Sequence, residues 1–271
     1  METTIGKLKL GSKLVLGAYT AGNGVPSQIV WLKASLTNDF ITERVVDWLC
    51  FDAAEPNSED RSCSSSGNQQ YHLSNIFTFI NSDQADWYLP THEWDCPPEI
   101  SRYTGNRTVM YKQHTGFLYN FDDYELSCIT PVTYETDEIE TTSAMRLPSK
   151  DDFVGEDKLN LFKKKGIRPL ATEDMRMNKS GYGLGAEAYV EFWLRDPGNN
   201  GGSYSRVKII DRTGSISSAP PSGGVGLRPV CTINPDTAVS EIESGIYKIT
   251  PFEVTPGILW TDEELRNLLG I

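Results

Sequence analysis

Five cysteines, three histidines and 37 acidic side chains are the groups with which this 271-residue chain could do chemistry. Cys50, Cys63, Cys96, Cys128 and Cys231 are odd in number, widely separated and without a C-x-x-C pair. That spacing supports neither a disulfide framework nor a zinc site. His72, His92 and His114 could join a mixed Cys/His site in space, yet nothing in their spacing asks for one. Acid/base catalysis needs two carboxylates held at separated pKa values; with acids this abundant, pairs occur everywhere and none is singled out. No G-x-S-x-G elbow, H-E-x-x-H helix or G-x-x-x-x-G-K phosphate loop is present. Gly181-Tyr182-Gly183-Leu184-Gly185 lacks dinucleotide-loop spacing and reads as a turn. The expectation is a protein that is not an enzyme and carries no cofactor or metal.

What the sequence offers is contact chemistry. Phe192-Trp193-Leu194-Arg195-Asp196-Pro197-Gly198 and, further on, Gly224-Val225-Gly226-Leu227-Arg228-Pro229-Val230 read as fixed framework. Between them lie an Asn/Gly/Ser/Tyr loop, the β-branched run Val207-Lys208-Ile209-Ile210, the turn Asp211-Arg212-Thr213-Gly214 and a Ser/Pro/Gly loop. Binding loops use Tyr, Ser, Gly and Asn for large contact area and adaptable hydrogen bonding. Asn199, Asn200, Tyr204, Ser205, Arg206 and Arg212 are therefore the ligand-contact candidates. Trp193, Arg195 and Arg228 are assigned to the frame, because a buried arginine can bond loop carbonyls with its five donors and stack on an aromatic face.

The elements that would position these residues are mostly strands. Leu8, Leu10, Leu14 and Leu16 share one parity, and the turn Ala21-Gly22-Asn23-Gly24 leads to Gln28-Ile29-Val30-Trp31-Leu32, which predicts a hairpin. Residues 39–51 are read as strand for their β-branched content, although their spacing also permits a helix. Residues 52–70 read as a polar loop, and 74–82 as a short helix capped by Ser74 or Asn75. From 84 to 142 aromatics and acids interleave in an insertion. Its aromatics either fill a hydrophobic layer or form platforms for sugar rings. The first reading is preferred, because Tyr119 and Phe121 alternating with Asn120 and Asp122 resembles ordinary strand patterning. Beyond 235 the expectation is a tail, 236–271, with a strand at Gly245–Ile249. A short helix follows it, with a capping box at Thr261 and Glu264 and a Leu265/Leu268/Leu269 edge anchored by Trp260. Such a helix docks on its own domain or on another subunit.

Composition bounds the partners. With 38% hydrophobic and 10% aromatic residues the chain can bury a real core. A net charge of −12 disfavours nucleic acid or an anionic membrane as partner. Lys163-Lys164-Lys165 reads as a solvated turn. No stretch approaches the ~20 apolar residues of a bilayer span, and lysines interrupt every apolar run at the N-terminus, so neither membrane insertion nor export through a signal peptide is expected.

The framework motifs resemble a largely uncharacterised family of bacterial and bacteriophage domains whose C-terminal half runs YWLRSP…V…G…GVRPAL. The match lies at Trp193-Leu194-Arg195-Asp196-Pro197, Val207, Gly214 and Gly226-Leu227-Arg228-Pro229-Val230. Weaker correspondence lies at Leu10–Leu14, Ile29–Trp31, His72–Ile76 before Phe79-Ile80-Asn81, and Arg146-Leu147-Pro148-Ser149. Asp196 stands where the family has Ser, and the 84–142 run is longer and more acidic than the pattern. The resemblance implies an α+β, C-type-lectin-like fold, β-rich with few short helices, spanning 1–235. That fold is shared with formylglycine-generating enzymes and phage tropism proteins. The reactive cysteine pair of those enzymes is reduced here to Cys231, in what reads as a core strand. Glu55-Pro56-Asn57 matches a lectin calcium motif, but far from its proper place.

A frame that displays loops is useful outside a cell, yet no export signal is read. A virion protein, assembled in the host cytoplasm and released by lysis, meets both conditions and suits reduced cysteines. The expected role is a head fibre, decoration or tail-tip component attaching to a host-surface glycan or receptor, as a homo-oligomer among other virion proteins. An oxidase related to formylglycine-generating enzymes and a cytoplasmic interaction module are the competing readings.

Overall fold

The computed structural model describes residues 2–20, 26–52, 67–87, 115–154, 189–198 and 205–250. In chain order these give β1 (Glu2–Thr4), β2 (Lys13–Tyr19), β3 (Ser27–Lys33), β4 (Asp39–Thr42), β5 (Asp47–Cys50) and α1 (Asn75–Ile80). Next come α2 (Asp123–Cys128), β6 (Val132–Thr136), β7 (Ile139–Ser143), β8 (Met145–Arg146) and α3 (Asp151–Val154). The described elements after residue 188 are all strands: β9 (Phe192–Pro197), β10 (Val207–Ile210), β11 (Ile216–Ala219), β12 (Gly224–Leu227), β13 (Val230–Thr232), β14 (Ala238–Glu243) and β15 (Ile246–Ile249). The protein is β-rich, with short helices only among the described residues.

An eight-stranded sheet has the order β1-β14-β15-β2-β3-β4-β13-β8, a five-stranded sheet the order β11-β10-β9-β12-β5, and β6-β7 form a separate hairpin. Besides visiting the large sheet at β8, the chain steps directly from the large sheet to the smaller between β4 and β5, and back between β12 and β13. The two crossings are bonded to each other: Thr42 N–H donates to the Pro229 carbonyl at 3.2 Å, and Val46 N–H to the Leu227 carbonyl at 3.0 Å. Arg228 lies at this corner and is 1% exposed. Its Nε donates to the Thr42 carbonyl at 2.8 Å and its Nη2 reaches the Glu43 carbonyl at 3.5 Å. Its guanidinium lies 5.2 Å from the centre of the Phe192 ring. Burial pushes the Arg228 pKa down to about 9, against the pull of the Glu43 carboxylate, so the side chain stays charged at neutral pH.

One core joins both sheets and α1. Trp31, Trp48, Trp193, Phe51 and Phe79 are fully buried in it. The indole N–H groups tie it to the backbone: Trp31 donates to the Leu16 carbonyl and Trp193 to the Leu49 carbonyl, each at 2.9 Å. α1 starts where Ser74 Oγ accepts from Phe77 N–H, one of the two caps the sequence allows. β2 and β3 pair antiparallel as the predicted hairpin, and β10 occupies the Val207 run.

Four expectations change. Leu8 and Leu10 precede β2 instead of extending it, because Ile5–Lys7 form a 3-10 turn and Ser12 N–H folds back to the Lys9 carbonyl at 3.0 Å. Phe117–Asn120 is a 3-10 turn and not a strand. It runs into α2, whose capping box has Asp122 accepting from Glu125 N–H and Glu125 accepting from Asp122 N–H. The Ser/Pro/Gly stretch after Gly214 contains β11, held by pairing along β10 despite its small, polar residues. Finally, the boundary placed at 235 falls inside the large sheet: β14 pairs with β1, and β15 runs parallel to β2. The closing helix expected at 261–270 lies outside the described residues.

Candidate functional site

Wherever the chain leaves the described frame and returns, the two ends are bonded or packed together. Asp52, fully buried, accepts from Asn68 N–H at 2.7 Å and from Asn75 N–H at 2.9 Å, closing the ends of 53–66 and fixing the start of α1. Gly116 N–H donates to the Gln84 carbonyl at 2.8 Å and Leu118 N–H to the Ser82 carbonyl at 3.0 Å, closing the ends of 88–114. A Cβ at Gly116 would lie 2.2 Å from the Ser82 carbonyl oxygen, so only glycine allows that approach. Gly198 N–H donates to the Arg206 carbonyl at 2.6 Å, closing the ends of 199–204. Around 155–188 the rings of Phe153 and Phe192 meet at 5.9 Å.

Of the ligand-contact candidates, Asn199, Asn200 and Tyr204 lie outside the described residues. Ser205 is only 9% exposed, which places it in the closed neck and not among outward contacts. Arg206 is exposed, but its Nε bonds Ser218 Oγ at 2.8 Å and its Nη2 the Ser218 carbonyl at 2.6 Å. Arg212 pairs with Glu191 at 3.3 Å. Arg206 and Arg212 flank β10 at opposite ends, about 20 Å apart at strand spacing. The three described candidates, Ser205, Arg206 and Arg212, therefore do not form one site.

A different constellation does. A cleft of about 580 Å³ opens between the β6–β7 hairpin and the β4–β13–β8 end of the large sheet. Arg146 and Arg195 line it together with Asp39, Asp152 and Tyr134, and Leu10 and Leu36 stand at its rim. Arg146 Nη1 donates to Asp152 Oδ2 at 2.7 Å, while its Nη2 stays 4.0 Å from Asp39 Oδ2. Burial opposes its charge, but Asp152 and Asp39 outweigh burial and raise its pKa. Arg195 donates from Nε to Thr136 Oγ1 at 3.0 Å and from Nη1 to the Leu147 carbonyl at 3.1 Å. Its guanidinium sits 4.8 Å from the centre of the Tyr134 ring, and its approach to Asp152 is 3.8 Å. Burial, and then the neighbouring Arg146 charge, lower its pKa. Next along β9, Asp196 faces elsewhere and accepts from Lys150 N–H at 2.6 Å; burial raises its pKa.

The cleft draws on β4, β6, β8, β9 and α3, so no sequence spacing could reveal it. One local signal was available: Ser149 and Asp152 form a reciprocal pair, Asp152 Oδ2 accepting from Ser149 N–H at 2.8 Å and Ser149 Oγ from Asp152 N–H at 3.3 Å. That pair fixes the carboxylate that both arginines approach.

Among the described residues no group of three His, Cys, Asp or Glu side chains could hold a metal ion, and no helix is long and apolar enough to cross a membrane. Cys231 is 1% exposed in β13, and burial, with the Asp39 charge, raises its thiol pKa well above the ordinary value. Cys50 and Cys128 are buried as well. In native protein these three thiols are expected to resist iodoacetamide and to react fully after unfolding. Peptide mapping by mass spectrometry checks this, and labelling of Cys231 in native protein would contradict its placement.

Frame and closed necks together define a β-rich domain built around intervening segments. The family model described as a domain of unknown function, DUF6273, matches residues 36–235, and the chain belongs to that family. No curated protein and no solved structure matches it.

Proposed function

We propose that this protein is a non-enzymatic virion component, a head fibre, decoration or tail-tip protein, whose C-type-lectin-like frame presents its intervening segments to a host-surface glycan or receptor. One observation carries the reading: 53–66, 88–114 and 199–204 each begin and end at residues bonded to one another, at Asp52 and Asn68, Gln84 and Gly116, and Gly198 and Arg206. A frame whose necks are closed from within can accept new sequence between them at small cost in stability, since loop closure is already fixed. Buried thiols at Cys128 and Cys231 suit assembly in a reducing cytoplasm. The C-type-lectin-like character rests on the WLRDP and GLRPV motifs, and homo-oligomerisation among other virion proteins follows from the role.

The test is mass spectrometry of purified particles from the protein's source, followed by binding of the isolated protein to host cells. The reading expects the chain in stoichiometric amount in the particles and saturable binding to the cells. Its absence from particles would overturn the virion assignment, and presence without cell binding would overturn the attachment role.

A further inference from the structure

We infer that the cleft between the β6–β7 hairpin and the β4–β13–β8 sheet end is a binding site for a small carboxylate with an apolar body, its acid group received by Arg195 and Arg146. The site is built from described frame residues, and the inference holds wherever the protein acts.

The argument begins from an unbalanced arginine. Arg195 is 9% exposed, yet no carboxylate lies within hydrogen-bond distance of it among the described residues. Buried charges are ordinarily paired, because an uncompensated ion in low dielectric is costly. Its nearest acid, Asp152, is already engaged through the same oxygen by Arg146 Nη1 and Ser149 N–H. Arg195 Nε and Nη1 are used on a hydroxyl and a carbonyl, both neutral acceptors. Its Nη2 has no hydrogen-bond partner among the described residues, and the side chain lines the cleft.

Arg146, 8% exposed, repeats the pattern. Among the described residues only its Nη1 is hydrogen-bonded; Asp39 stands 4.0 Å from Nη2, too far to accept. Nor is Asp39 free to move closer. It already accepts from Ser35 Oγ at 2.9 Å, Thr37 Oγ1 at 3.1 Å and Thr232 Oγ1 at 2.5 Å. Two guanidiniums, each within 4 Å of one Asp152 oxygen, thus leave donors open toward the same cleft. Arginine donors in a fixed fork match a carboxylate in both geometry and charge.

The walls specify the rest of the ligand. Tyr134 covers one face of Arg195, and Leu10, Leu36 and Val132 give the cleft an apolar lining. Leu36 is 85% exposed and Leu10 39%, large side chains left in water at the mouth of a charged floor. An apolar body seated between them would bury that surface while its acid meets the arginines. The volume lies in the range of small-molecule sites.

The experiment titrates the full chain with 4-phenylbutyrate and hexanoate, each beside its uncharged amide and beside inorganic phosphate, by calorimetry. Both acids are expected to bind at least about tenfold more tightly than their amides, the order of a charged hydrogen-bonded contact. Arg195→Gln should abolish that preference. Because Arg195 also bonds the Leu147 carbonyl, a second variant guards against misfolding: Leu36→Glu, at an exposed position, should weaken the acids about tenfold at unchanged melting temperature. Equal binding of acid and amide, binding of neither, phosphate binding as tight as the acids, or acids indifferent to Leu36→Glu would each overturn the inference.

Discussion

Replacing Arg228 by alanine is expected to lower the melting temperature by about 10 °C, corresponding to about 4 kcal/mol. The reason is position. Arg228 bonds the Thr42 and Glu43 carbonyls where the chain crosses between the two sheets in both directions, and it fills space against Phe192. Alanine leaves a void at that corner and deprives buried carbonyls of their donor. Arg228→Met restores volume without donors, so its melting temperature should lie between the two. The pH dependence has a definite sign. With a folded pKa of about 9, below the ordinary arginine value of the unfolded chain, the folded state binds fewer protons over the range between the two. Stability of the wild type relative to Arg228→Met should therefore rise as pH increases through 9, and be flat below it. Thermal unfolding of the three proteins from neutral pH upward checks both claims. An alanine variant melting within a degree or two of wild type would contradict the corner role.

Gly226→Ala should be nearly as damaging, at about 3 kcal/mol, through overpacking and not loss of a contact. β12 lies between β9 and β5, and Gly226 N–H donates to the Glu191 carbonyl at 3.1 Å. A Cβ there would come within 2.4 Å of that same oxygen and 2.7 Å of Val45 Cγ1. One contact is backbone, so a side-chain rotation cannot relieve it; β9 and β12 must separate. Urea unfolding should show a lowered midpoint, with Gly226→Val lower still. An unchanged midpoint would mean that the two strands can part without cost.

These two residues also show what a sequence can disclose. Arg228 and Gly226 were legible as framework because they sit in one short motif with Pro229, and the structure places both where the sheets join. The β2–β3 hairpin, the Ser74 cap and the strand containing Cys231 were legible too, since local patterning and capping chemistry determine them. β11 was not, because its Ile216–Ala219 sequence has no strand character and is held by β10. Nor was the continuation past 235, where β14 and β15 find partners at the opposite end of the chain. Partnering across such separations leaves no periodic trace. The same holds for the arginine cleft. Arg195 reads as framework and does bond the Leu147 carbonyl, but that it shares an acid with Arg146 depends on α3 and β8 meeting β9. Of the contact candidates, Arg206 and Arg212 do not converge, because β10 separates them by its whole length.

The central claim is that a self-sufficient frame carries contact residues it does not need for folding. It is tested most directly by replacing Asn199, Asn200 and Tyr204 together with glycine and measuring melting and host-cell binding on the same preparation. Melting within about 2 °C of wild type, as for surface positions outside the core, together with at least a tenfold loss of binding, is the predicted result. A fall in melting comparable to that of Arg228→Ala, or binding that survives the triple replacement, would contradict it.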